Sequence, residues 1–156
     1  MEVSPSPIVE LNRVRGRSAF LSVERQCKVG KRCPEEVFAV PDTHPGGCHC
    51  GAVRYRVDID LSKPVTQCNC SICSRTGTLL SFVPAGAFTL EKGEESLTDY
   101  QFNRKNIHHL FCKVCGVRSF ARGKGPVGPM VAINTRCLDD VDATTLNVQH
   151  FDGKSR

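Results

Sequence analysis

Seven of the ten cysteines in this 156-residue chain fall into three tight clusters: C-H-C at 48–50, C-N-C-S-I-C at 68–73 and C-K-V-C at 112–115. Two thiolates from one turn can reach the same tetrahedral ion, and zinc takes four soft or borderline ligands in that geometry. Neighbouring cysteines can also be redox pairs, but three such clusters in one chain favour metal. Cys112 and Cys115 are followed directly by Gly116, which lets the backbone turn tightly and aim N–H groups at the sulfurs. Cys48 and Cys50 sit among Gly46, Gly47 and Gly51, as close backbone approach to a metal would require. Two plus two thiolates give a closed site, which is structural because no coordination position is left. Cys68, Cys70 and Cys73 leave one position of a tetrahedron open, the arrangement that catalytic zinc keeps for water or substrate. The spacing also allows Cys48 and Cys50 to join Cys70 and Cys73. That pairing would strand Cys112 and Cys115, a poorer use of ligands.

The elements that must carry these clusters read as short strands from residue 44 onward. Residues 52–58 alternate, with Val53, Tyr55 and Val57 on one face and Arg54 and Arg56 on the other. Residues 78–83 form an apolar run closed by Pro84. Residues 97–102, 107–111, 117–121, 130–134 and 146–150 have strand length, and Gly and Pro punctuate the gaps, as in GKGPVGP at 123–129. No segment keeps a 3.6-residue apolar period, so helix is expected only as single turns near 71–75 and 84–88. The expected fold class is mainly β, with one domain over 44–156. Residues 1–43 hold Pro5, Pro7, Pro34 and Pro41, mixed charge and no period, and read as an N-terminal extension, poorly ordered or loosely docked. Cys27 and Cys33 lie there without a partner at metal-binding spacing.

Other residues could contribute. His49 stands between two cysteines, and strand alternation turns its side chain away from the site its neighbours share. His108 and His109 face opposite sides of a strand, so one of them could stand near the site as a proton carrier. Arg75 follows Cys73 by two residues and could receive a carboxylate on its guanidinium fork; Arg118 has the same capacity. A solvated surface arginine is the ordinary reading of both. Cys137 reads as a buried free cysteine. Phe82, Phe88, Phe102, Phe111 and Phe120 read as core rather than as a ligand platform.

The strings GGCHCGAVRYRV, CNCSICSRTG and HHLFCKVCGVRSF, in that order, resemble the glutathione-dependent formaldehyde-activating enzyme family, which also includes centromere protein V. The resemblance implies a β-tent fold, small antiparallel sheets clamped by a zinc ion. It implies that Cys48, Cys50, Cys112 and Cys115 carry the structural zinc and that Cys68, Cys70 and Cys73 carry a second. Glutathione is the implied co-substrate near that second Zn2+, with Arg75 as a candidate contact. The implied activity is carbon–sulfur lyase chemistry: formation or cleavage of S-hydroxymethylglutathione or a related thiol–aldehyde adduct. A metal lowers a thiol pKa from about 8.5 and polarises a carbonyl. Three thiolates make a zinc site net negative and a weaker Lewis acid, so positioning thiol beside aldehyde gains weight. Centromere protein V implies the other reading, a non-catalytic zinc-stabilised binding module.

The formal net charge is +5. Seven thiolates would remove seven charges and two zinc ions would return four, leaving +2, so the bare sequence overstates the basicity and a nucleic-acid partner is not expected. No run approaches the roughly 18 apolar residues of a membrane helix, and the N-terminus has no apolar signal core. The expected compartment is therefore the cytoplasm, where disulfides rarely persist and metal is the better account of the cysteines.

Overall fold

A computed structural model of the chain describes residues 41–156. Cys27, Cys33 and nearly all of the stretch read as an extension lie outside the described residues. The described residues form ten strands, one α-helical turn and three 3₁₀ turns, so the mainly-β expectation holds. Strands β1 (Asp42–Gly47), β2 (Arg54–Ile59) and β5 (Phe88–Lys92) form a three-stranded antiparallel sheet in the order β1-β2-β5. The second sheet has seven strands. It comprises β3 (Val65–Cys68), β4 (Leu80–Pro84), β6 (Leu97–Tyr100), β7 (Ile107–Cys112), β8 (Phe120–Gly125), β9 (Gly128–Asn134) and β10 (Val148–Phe151). Its order is β10-β3-β4-β9-β8-β7-β6, antiparallel except for the parallel pair of β10 and β3.

The alternation at 52–58 is realised in β2. Tyr55, Val57 and Ile59 are buried while Arg56 and Asp58 point to solvent. The rings of Tyr55, Phe88 and Phe120 meet at centroid distances of 4.8–5.6 Å and join the two sheets in one core with Ile133 and Val131. Burying Tyr55 raises its phenol pKa, and the hydroxyl stands 3.5 Å from the Ser119 carbonyl.

Three strands escape the sequence pattern. β1 is mostly exposed and includes Pro45, yet its edge position needs little alternation, and Asp42 and Thr43 pair with Ile59 and Asp58. β3 is four residues long, and β5 follows a 3₁₀ turn at Ala85–Ala87. The GKGPVGP segment is not a loop between strands but the tip of a hairpin, with Gly125 paired to Gly128. Expected helix turns appear as α1 (Cys73–Thr76) and as the 3₁₀ turn. Among the described residues no helix is long and apolar enough to cross a membrane.

Candidate metal centre and adjoining cavity

Two turns, one from each sheet, present matched knuckles. The Cys48 N–H donates to the Val53 carbonyl (3.1 Å) and the Cys112 N–H donates to the Val117 carbonyl (3.0 Å). Inside them the Gly51 N–H reaches the Cys48 carbonyl and the Gly116 N–H reaches the Cys112 carbonyl. Both glycines adopt left-handed backbone, with φ of 74° and 73°. That conformation is costly for other residues and explains a glycine directly after Cys50 and after Cys115.

The four sulfurs of Cys48, Cys50, Cys112 and Cys115 all lie within 4.8 Å of one another. Cys48 Sγ is 3.5 Å from Cys50 Sγ, which is 3.7 Å from Cys112 Sγ. A tetrahedron with metal–sulfur bonds of about 2.3 Å has sulfur–sulfur edges of about 3.8 Å, so the donor set fits zinc. A backbone N–H also points at sulfur, Val53 to Cys48 at 3.3 Å. In the metal-free chain the cluster shares protons unequally. The Val117 and Cys50 N–H groups pull Cys115 down to about 6. The Ala52 N–H favours the Cys50 thiolate, but desolvation and the neighbouring thiols push that thiol up to about 11. Metal would have to displace the retained protons.

Cys68 ends β3, Cys70 lies in the following turn and Cys73 opens α1. Their sulfurs also lie within 4.8 Å of one another. Burial, then the adjacent Cys70, pushes Cys73 up to about 11, while Arg118 opposes the rise. Desolvation also acts to raise Cys70, but the Cys73 N–H and the neighbouring thiols outweigh it and hold Cys70 below the usual thiol range. The C-terminal strand closes this cluster from one side. The Asn69 N–H donates to the Phe151 carbonyl, and a Cβ on Gly153 would stand 2.6 Å from Cys68 Sγ.

All three of these cysteines line a cavity of about 430 Å³, and none of the other four does. The cavity floor is one row across the larger sheet: Phe82 pairs with Ala132, Ala132 with Ala121, and Ala121 with His109. Two alanines between bulkier neighbours leave the hollow. Phe102, Phe120 and Phe151 complete much of the wall.

His109 and Arg118 are both buried at the cavity, each 6% exposed. The Arg118 Nη1 is 2.8 Å from His109 Nδ1, and Nη2 is 2.9 Å from Thr78 Oγ1. Guanidinium has no acceptor, so His109 Nδ1 accepts and the ring is neutral with its proton on Nε2. Burial and the Arg118 charge both hold the His109 pKa below its ordinary value. Phe102 stacks on the ring at 5.3 Å.

The sequence profile of the glutathione-dependent formaldehyde-activating enzyme family matches residues 43–153. The chain belongs to this family. A Halomonas elongata protein provisionally named for the same activity is 55% identical over 31 residues, which span 20% of each chain. The chain thus matches about a fifth of that relative's length. A crystal structure of a Rhodobacter sphaeroides protein superposes with a TM-score of 0.62 at 28% identity, covering 69% of this chain and 99% of the other.

In this family member the candidate residues separate. His49 is exposed and belongs to neither sulfur cluster. His108 faces outward and pairs with Asp99 at 2.7 Å, whereas His109 faces the cavity. Arg75 is exposed, donates to the Ser71 carbonyl and does not line the cavity. Arg118, read as a solvated arginine, is instead buried in it. Its chain position just past the second knuckle turns it inward, where His109, Thr78 and Thr76 supply acceptors. Phe82, read as core, is 52% exposed at the cavity mouth, and Phe102 lines the cavity rather than the core. Cys137 is half-buried beside Asn134 Nδ2, and burial pushes its thiol up to about 11. Phe151 and Gly153 carried no sequence signal, because a strand edge and a close approach declare themselves only in three dimensions.

Proposed function

We propose that this chain is a zinc-dependent, glutathione-using carbon–sulfur lyase that forms and cleaves thiol–aldehyde adducts of the S-hydroxymethylglutathione type. In this reading Cys48, Cys50, Cys112 and Cys115 hold a structural zinc, and Cys68, Cys70 and Cys73 hold a second. The observation that carries it is the division of the sulfurs: the set of three opens on a cavity and the set of four does not. Zinc on three thiolates supplies a position that can lower the pKa of an incoming thiol and polarise a carbonyl.

The chain's own residues do the remaining work. Cys68 and Phe151 separate the apolar cavity from a polar hollow lined by Gln67, Asn69, Ser74, His150 and Asp152. A peptide thiol with charged ends suits the polar hollow, its sulfur directed toward the cluster, and Arg75 is near enough in sequence to be tested as a carboxylate contact. Arg118 keeps His109 neutral and oriented. The apolar wall excludes water beside the reacting carbon. Holding thiol and aldehyde together supplies the larger share of any acceleration, since the reaction proceeds slowly without a catalyst. The family membership and the expectation of a small-molecule thiol and aldehyde agree with this chemistry.

Exchange NMR at equilibrium tests the proposal. Zinc-loaded protein should raise the rate of interconversion between S-hydroxymethylglutathione and its components above the protein-free rate, and C70S should abolish the increase. A rate equal to the protein-free rate would leave a binding module as the better account.

A further inference from the structure

The cavity beside the three-cysteine cluster is larger and more apolar than formaldehyde requires. Formaldehyde has two heavy atoms, about the bulk of one or two water molecules at roughly 30 Å³ each. The cavity holds about 430 Å³, within the roughly 300–1,000 Å³ range of sites for much larger ligands. Phe82, Ile107, Ala121 and Ala132 also line a second hollow of about 420 Å³. The apolar floor therefore continues outward from the cluster along β4, β7, β8 and β9.

Charge says what does not belong there. Among the described residues Arg118 is the one cation lining the cavity beside the cluster, and His109, Thr76 and Thr78 take three of its five N–H donors; Arg122 and Lys124 line only the outer hollow. A peptide thiol carries two carboxylates and an ammonium, and burying these unpaired costs far more than apolar contact returns. The peptide belongs on the polar side of Cys68, and the apolar chamber is left for the other reactant.

His109 gives that reactant an orientation. Its Nδ1 is occupied by Arg118, so Nε2–H is the donor, on a ring that lines the chamber. A carbonyl oxygen, or the oxygen of a thiol–aldehyde adduct, accepts from such a donor. A hydrocarbon chain lies over Ala121 and Ala132 toward Phe82.

We infer that the carbonyl substrate of this site is an aldehyde with an apolar carbon chain, its oxygen accepting a hydrogen bond from His109 Nε2–H and its chain lying along the Ala121–Ala132 floor. The inference rests on the proposed thiol–aldehyde chemistry. The step balances without a further reactant. The sulfur lone pair forms a C–S bond to the carbonyl carbon, the C=O π pair moves to oxygen, and the thiol proton ends on that oxygen. Cleavage is the reverse. His109 donates a hydrogen bond to the oxygen as charge develops and keeps its proton.

Three measurements on the zinc-loaded full chain test it. Calorimetric titration compares S-hexylglutathione with S-methylglutathione as stable adduct analogues; the hexyl compound should bind at least tenfold tighter, and A132L should erase the difference. Exchange NMR compares the glutathione adducts of hexanal and formaldehyde; the ratio of their kcat/KM values should favour hexanal, and A132L should lower that ratio at least tenfold. H109Q places an acceptor toward Arg118 and a donor where Nε2–H was, so it should retain most of the exchange rate, while H109L should lose at least tenfold. Nitrogen NMR of the wild-type protein should show Nδ1 of His109 unprotonated. Equal affinity for the two analogues, or a formaldehyde preference that A132L leaves unchanged, overturns the inference while leaving the lyase reading intact. Exchange at the protein-free rate with both adducts overturns the lyase reading itself. Should H109L fail to fold, H109Q and the tautomer decide alone: a protonated Nδ1 sinks the orientation.

Discussion

Arg118 donates to Nδ1 of His109 across 2.8 Å, and this one contact fixes both the charge and the tautomer of a histidine at the cavity. The arginine stands three residues past Cys115, so the knuckle that closes the four-sulfur cluster also aims the guanidinium at the three-sulfur cavity. The two clusters are thereby mechanically linked through one side chain.

The pH dependence of His109 follows. Its folded pKa is depressed by burial and by Arg118, with Asp99 opposing weakly. A histidine with a depressed folded pKa contributes stability that is fully present above its unfolded pKa of about 6.5 and is lost as pH falls below it. Proton NMR should show His109 titrating below its unfolded value of about 6.5. In R118M the His109 pKa should rise, and urea unfolding at pH 7 should show a loss of about 2–3 kcal/mol from the broken buried network.

The cysteine sets should respond differently to removal. C112S removes a buried sulfur from the closed set. It should unfold most of the chain by circular dichroism, because metal binding and folding are coupled there. C70S should keep the folded spectrum. Native mass spectrometry should count two zinc ions in the wild-type protein and one in C70S, and two in C70S would break the assignment.

Gly153 is a wall rather than a hinge. A methyl there would sit 2.6 Å from Cys68 Sγ and 3.1 Å from Cys70 Cβ. G153A should weaken metal at the three-cysteine set at least tenfold in competition with a chelator. The four-cysteine set should be unaffected, and so should the midpoint of thermal unfolding to within a few degrees.

Arg54 and Asp139 pair fork to fork between β2 and the segment after the 3₁₀ turn at Thr135–Cys137. The Arg54 guanidinium holds the Asp139 carboxyl below the usual carboxylate range. Stability from this pair is present above about pH 4 and lost as pH falls through the folded pKa. The side chains are 29% and 37% exposed, so D139N should cost no more than about 1 kcal/mol at pH 7 and flatten the acid limb of the stability curve.

Spacing made both sulfur sets legible, because C-x-C and C-x-x-C followed by glycine are local geometries that a sequence can spell. The grouping of Cys48 and Cys50 with Cys112 and Cys115 is a contact across 62 residues between Cys50 and Cys112, and spacing alone left an alternative open. Alternation made β2 legible because one of its faces is fully buried. It failed for β1, an edge strand, and for β3 and β5, which at four and five residues give too few repeats. Arg118 was misread because an isolated arginine is usually hydrated, and only the fold brings Thr78 and His109 to meet it. The Ala121–Ala132 floor was invisible for a related reason: a cavity is made by small residues meeting across strands, which no single segment announces.

The matched knuckles also set an order of events during synthesis. Cys48 and Cys50 leave the ribosome first, and Cys112 follows Cys50 by 62 residues, roughly 3–12 s at ordinary elongation rates. Through that interval the first pair has no native partner. Once the second pair arrives, a shared ion closes a 62-residue loop, a restriction of the unfolded chain worth about 4 kcal/mol by the chain-entropy relation for a cross-link of that span. Supply of metal during translation, rather than afterwards, would then decide how much of the newborn chain matures.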